Sequence, residues 1–115
     1  MPKTHNQWFG AAGETQAANY LVKIGYQVLI RNFRYSRGEV DIIAQDGDEI
    51  VFVEVKSRST RSFAHPSHAV TQRKVNQVIR AGVQYLKQNH LPNPFRLDII
   101  SILPGDIEHY KNVTW

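Results

Sequence analysis

Cysteine is absent from the chain. That excludes a disulfide scaffold, a thiolate metal site and a cysteine nucleophile, and it is compatible with a reducing compartment. No apolar run approaches the roughly 18 residues that a membrane-spanning helix needs. The N-terminus, Met1-Pro2-Lys3-Thr4-His5-Asn6-Gln7-Trp8, lacks the apolar core of a signal peptide. Internal repeats, low-complexity tracts and obvious linkers are also missing. These absences predict a soluble cytoplasmic protein with no membrane partner.

What is present fits one compact unit. A length of 115 residues suits a single domain over residues 1–115 with one real core. An apolar fraction of 42% and a charged fraction of 21% are ordinary for a globular chain. Fourteen Lys and Arg against ten Asp and Glu give a net charge of +4. That balance favours a polyanionic partner such as nucleic acid.

Apolar positions Trp8, Ala11, Ala12, Ala18, Leu21 and Val22 recur at helical spacing, so a first helix is expected from about Gln7 to Ile24, with Gly25 as its stop. Three strand-like runs follow, at Tyr26 to Phe33, Glu39 to Gln45 and Glu49 to Val55. Asp46-Gly47-Asp48 between the last two is a hairpin signal. The polar, basic stretch from Ser57 to His68 reads as a loop. A second helix is expected from about Val70 to Asn89, burying Val75, Val78, Ile79, Gly82, Val83 and Leu86. After Pro92 and Pro94 comes a fourth strand, Phe95 to Leu103, and Ile107 to Val113 suits a fifth, edge strand. The order helix, three strands, helix, one or two strands predicts an α/β fold: a mixed sheet of about five strands with helices packed on it.

Chemistry concentrates in Gly38-Glu39-Val40-Asp41-Ile42-Ile43 and Phe52-Val53-Glu54-Val55-Lys56. Here charged residues interrupt two otherwise apolar strands, which is costly unless they are paired or coordinated. Glu54 and Lys56 share a face by strand alternation. A two-residue turn at Asp46-Gly47 sets Asp41 opposite Phe52; one at Gly47-Asp48 sets it opposite Glu54. Either register puts Asp41, Glu54 and Lys56 on one side of the sheet. Two carboxylates beside a lysine suit phosphodiester hydrolysis. Asp41, Glu54 and the Val55 carbonyl offer hard oxygens for Mg²⁺ or Mn²⁺, and Lys56 could orient a water or stabilise transition-state charge. A cross-strand salt bridge is the structural alternative.

Residues 38–58 resemble the core motif of the PD-(D/E)xK nuclease superfamily, with Asp41 as its first acid and Glu54-Val55-Lys56 as its ExK element. Together with Gly13-Glu14, the runs Gly-Glu-Val-Asp-Ile-Ile and Phe-Val-Glu-Val-Lys-Ser-Arg resemble, more closely still, the YraN family of bacterial proteins, described as predicted endonucleases similar to archaeal Holliday-junction resolvases. The likeness spans Gly10 to about Val113. It implies a restriction-endonuclease-like core, a catalytic set of Asp41, Glu54, Lys56 and Glu14, and a metal held by Asp41, Glu54 and Val55. Likeness to the resolvases also implies a homodimer, to which an exposed fifth strand and the aromatic C-terminus could contribute.

Other residues carry two readings each. Glu14 could support a metal or be a solvated helix glutamate. Glu39 is either a further ligand or a partner of Arg37 or Arg58. Lys74, opening the second helix, reaches a phosphate or the carboxylates, or is plain surface charge. Among Arg31, Arg34, Arg37, Arg58 and Arg61, the nucleic-acid contacts expected are Arg34, Arg37, Arg58 and Arg61, joined by Lys74. Tyr35 could stack on a base or simply pack. Arg96 and Asp98 read as a structural ion pair. His65 and His68 have metal-binding spacing but no further ligand. Trp8 and Trp115 are packing residues. The expected function is a Mg²⁺-dependent endonuclease on DNA, with branched or otherwise structured DNA among the candidate substrates; the alternatives are a non-catalytic nucleic-acid-binding module and a structural partner whose acids brace the sheet.

Overall fold

The computed structural model describes residues 5–58 and 71–113, with side chains from Ala12 onward. The side chain of Trp8, and Arg61, His65, His68 and Trp115 altogether, lie outside the described residues. Helix α1 spans His5–Lys23, followed by strands β1 (Gln27–Tyr35), β2 (Gly38–Asp46) and β3 (Glu49–Ser57). Helix α2 (Gln72–Gln88) leads to β4 (Phe95–Leu103) and β5 (Asp106–Tyr110). The element order is the one the sequence predicts.

Local chemistry sets the boundaries. The Tyr26 N–H donates to the Leu21 carbonyl and the Gly25 N–H to that of Val22, while Gly25 takes φ +98°. That pair of bonds closes a helix through a left-handed residue, which glycine adopts without a Cβ penalty. At the start of α2 the Thr71 hydroxyl accepts from the Lys74 N–H at 3.1 Å, satisfying a donor that the helix cannot. Asp46 pairs with Glu49, so Gly47-Asp48 is the two-residue turn of the β2–β3 hairpin, with Gly47 at φ +60°.

One five-stranded sheet results, in the order β1-β2-β3-β4-β5. All neighbours are antiparallel except β3 and β4, which α2 joins in parallel. Each face has its own core. Helix α2 lays Val75, Val78, Ala81 and Leu86 on Val40, Ile43, Ile50, Phe52, Leu97 and Ile99. Helix α1 lays Ala17 and Leu21 on Ile42, Ala44, Val51, Val53, Ile100 and Ile102. The central strands are therefore apolar on both sides, as a doubly covered sheet requires. No helix among the described residues is long and apolar enough to cross a membrane.

Candidate active site

The β2–β3 ladder runs from Asp46–Glu49 to Ile42–Val53 and ends there. One residue further, Asp41 does not continue it. Its Oδ2 instead accepts the Val55 N–H at 2.8 Å, so a side chain takes the place of a backbone acceptor. Val40 then packs on the α2 face and Ile42 on the α1 face, although they are two residues apart. Strand alternation would put both on one face, so the strand changes sides at Asp41. Across β1 the position between the Arg31–Ile42 and Phe33–Val40 pairs is Asn32, held at φ +56°. Asparagine tolerates that left-handed conformation better than most residues.

This corrects the route by which the three residues were expected to meet. The two-residue turn and the common face of Glu54 and Lys56 hold. Asp41 joins them because β2 parts from β3, not because alternation continues through it. The parting opens a notch at the carboxyl end of β3 that is lined by the acids.

Glu54 lies at the bottom of the notch, only 5% exposed. Its Oε1 is 3.5 Å from Lys56 Nζ and 4.0 Å from Lys74 Nζ. Its Oε2 is buried without a hydrogen-bond partner among the described residues. Burial raises the carboxyl pKa to about 7, and the neighbouring Asp41 carboxylate adds to this, while Lys74 and Lys56 pull the other way. Burial and a second carboxylate thus outweigh two lysines.

Glu14 comes to the same place from the other face. Burial raises its pKa first and Asp41 second, against a hydrogen bond from Asn32 and the charge of Arg31. Arg31 Nη2 stands 3.6 Å from its carboxylate. Gly13 lets α1 approach so closely, because a Cβ there would collide with the Ser57 hydroxyl of β3.

Not every expected contact converges. Glu39 pairs with neither Arg37 nor Arg58; its Oε2 is 3.5 Å from Nε of Arg34, its cross-strand neighbour. Arg58 extends the sheet through its backbone, donating to the Ile102 carbonyl. Arg37 lines a cleft with α2, and Lys74 reaches the Glu54 carboxylate. Tyr35 is exposed at the end of β1. The expected Arg96–Asp98 ion pair is present at 3.0 Å. Asn32, Arg73 and Arg80 did not stand out in the sequence. A polar residue inside a strand was the only signal for the first, and a helix with basic but no acidic residues the signal for the other two.

Among the described residues no group of three or more His, Asp or Glu side chains is arranged to hold a metal ion. The oxygen donors at the notch are two carboxylates and a backbone carbonyl. The Val55 N–H points at Asp41, and in a strand the C=O of a residue points to the same edge as its N–H. A buried carboxylate oxygen without a donor, next to a second carboxylate, is the chemistry that a hard divalent cation relieves.

Comparison with known proteins gives the lineage. Residues 13–102 match the model of "Uncharacterised protein family UPF0102". A UPF0102 protein of Chlorobaculum parvum is 46% identical over 105 residues, covering 89% of this chain and 80% of its own. One from Trichlorobacter lovleyi is 45% identical over 114 residues, covering 93% and 90%, and one from Geobacter metallireducens 44% over 114, covering 94% and 93%. The matched span contains Glu14, Asp41, Glu54, Lys56 and Lys74, and the chain belongs to the UPF0102 family.

Proposed function

We propose that this protein is a metal-dependent endonuclease that hydrolyses phosphodiester bonds in DNA, with branched or otherwise structured DNA as a candidate substrate. The observation that carries the proposal is the Glu54 carboxylate: buried, one oxygen unpartnered among the described residues, beside Asp41 and two lysines, where β2 leaves β3. A salt bridge that only braced the sheet would need neither a second carboxylate nor an unsatisfied oxygen. The element order and the Asp41, Glu54-Val55-Lys56 spacing agree with the resemblance to PD-(D/E)xK nucleases.

Asp41, Glu54 and the Val55 carbonyl would hold Mg²⁺ or Mn²⁺, which when bound polarises a phosphate and acidifies a water. The Val55 N–H fixes one Asp41 oxygen, and the other would serve the metal. Lys56, tethered to Glu54 by charge, holds a water for in-line attack or steadies charge on the phosphorane. Lys74, on the opposite wall, neutralises a non-bridging phosphate oxygen. Glu14 supports the site from α1 through Asn32 and the charge it sets beside Asp41.

The test is a cleavage assay on duplex, single-stranded and four-way-junction DNA with Mg²⁺, Mn²⁺ or EDTA. Cutting is expected with either metal, absent in EDTA, and reduced at least about 100-fold in Glu54→Ala and Lys56→Ala. Binding without cutting in every condition would establish a non-catalytic nucleic-acid-binding module instead.

A further inference from the structure

Helix α2 carries Arg73, Lys74, Arg80 and Lys87 and no acidic residue. Arginines on a helix surface commonly pair with a carboxylate three or four residues away; here none is available. Arg73 and Arg80 are two turns apart and so lie on one side of the helix. With Asn76 and Gln77 between them, and Arg37 and Gly38 opposite, they line a cleft of about 420 Å³. Gly38 closes its wall tightly, because a Cβ there would run into the Gln77 carbonyl of α2. Among the described residues no carboxylate pairs with any of the three guanidinium groups. Three like charges around one cleft repel one another, and an anion between them removes that cost.

We propose that Arg37, Arg73 and Arg80 form a phosphate-binding cleft that grips the backbone of a nucleic-acid strand beside the Asp41–Glu54 notch. The proposal rests on the nuclease function above and supplies its means of holding substrate. Guanidinium forks match phosphate oxygens bidentately. Seven helical residues span about 10 Å, which equals about three nucleotide steps of one strand at 3.4 Å. Arg73 adjoins Lys74, whose ammonium faces Glu54, so a strand along the cleft continues onto the notch. Gly38 leads in three residues to Asp41, and the same short stretch of β2 forms the wall of the cleft and the acid of the site. The contacts are to phosphate and carry no base sequence.

The test measures binding, not cutting. A labelled DNA duplex of about 20 base pairs is titrated in EDTA between about 50 and 200 mM salt by anisotropy. The triple variant Arg37→Gln, Arg73→Gln, Arg80→Gln is compared with wild type and with Lys23→Gln, Lys87→Gln, Lys111→Gln, which removes the same charge elsewhere. The arginine variant is expected to bind at least about tenfold more weakly and to flatten the slope of log K against log salt by about two to three. The lysine variant is expected to flatten it by less than about one. Unchanged melting of both variants confirms that the fold is intact. Equal losses in the two variants, or no DNA binding by the wild type, overturn the cleft. Wild-type binding that is lost with the arginines, but no cutting with any metal, upholds the cleft and sinks the enzyme.

Discussion

At the scale of single residues, Glu54 sets opposite demands on folding and on the proposed metal binding. Its folded pKa, about 7, lies above the ordinary glutamate value of 4.5. A raised carboxyl pKa means that the folded chain holds a proton the unfolded chain has released. The associated stability is fully present below about pH 4.5 and is lost as pH rises through about 7, an effect of at most about 3 kcal/mol. A divalent cation needs the carboxylate, so its binding releases that proton and strengthens over the same interval. Metal-free protein is therefore expected to melt lower at pH 8 than at pH 5, with Mn²⁺ restoring much of the difference at pH 8 and little at pH 5. Glu54→Gln, neutral at every pH, is expected to melt as high as wild type or higher at pH 8 without metal, and to gain nothing from Mn²⁺. Thermal melts of both proteins at the two pH values check this; a wild type whose Mn²⁺ shift is the same at pH 5 and pH 8 contradicts it.

At the scale of elements, close packing depends on residues with no side chain to spare. Gly82 of α2 lies against the ring of Phe52, and a Cβ there would enter the ring. Phe52 is fully buried in the α2-side core and stacks on Phe95 with centroids 5.1 Å apart, so it cannot swing away freely. Gly82→Ala is expected to cost about 1–3 kcal/mol by overpacking, despite the better helix propensity of alanine. Urea unfolding measures it, and a gain in stability would show that the helix simply shifts outward. Gly82 was legible as a buried helix position because the 3.6-residue pattern of α2 includes it. Pattern also revealed all seven elements, to within a few residues at most ends, and narrowed the hairpin to two registers, of which the Asp46–Glu49 pair selects the turn at Gly47-Asp48. It could not reveal the parting of β2 from β3. That event depends on Asp41 capturing the Val55 N–H and on Asn32 accepting a positive φ on the neighbouring strand, both tertiary effects with no periodic trace. The partner of Glu39 was missed for a simpler reason. The two-residue turn Ser36-Arg37 pairs Tyr35 with Gly38 and so Arg34 with Glu39, and it needs Ser36 at φ +57°, a left-handed conformation that serine does not announce.

At the scale of the whole molecule, the two ends of the sheet do different work. The acidic notch lies at the carboxyl end of β3. About five residues back, roughly 17 Å along the strand, Glu49 belongs to a network, centred on the buried Arg96 and Asp98 side chains, that ties the fold together. Arg96 donates to Asp98 at 3.0 Å, Glu49 at 2.9 Å, Asp46 at 3.1 Å and the Tyr26 hydroxyl at 2.7 Å. His109 of β5 lies 2.7 Å from Asp98 and 3.1 Å from the Tyr20 hydroxyl of α1, and the Asn112 N–H donates to Asp98. Helix α1, the start of β1, the hairpin, β4 and β5 thus converge on one carboxylate that is fully buried. Burial alone would raise the Asp98 pKa, but hydrogen bonds from His109, Arg96 and the Asn112 N–H prevail and hold it below the ordinary aspartate value. The stability this contributes is present above pH 3.8 and lost as pH falls through the lower, folded pKa. Arg96 and Asp98 were legible as a pair because they share a face of β4; their partners were not, since they come from elements up to 70 positions away in sequence. Asp98→Asn keeps the shape but removes the charge on which Arg96 and His109 converge. It is expected to destabilise by about 3–5 kcal/mol, lowering the melting temperature on the order of 10 °C, and to flatten the acid limb of the stability profile. Because the notch lies at the opposite end, the folded variant is expected to keep wild-type Mn²⁺ affinity at a temperature well below its melt. Calorimetric titration at 10 °C below that melt decides it: a parallel loss of metal binding would mean that the two ends are not independent.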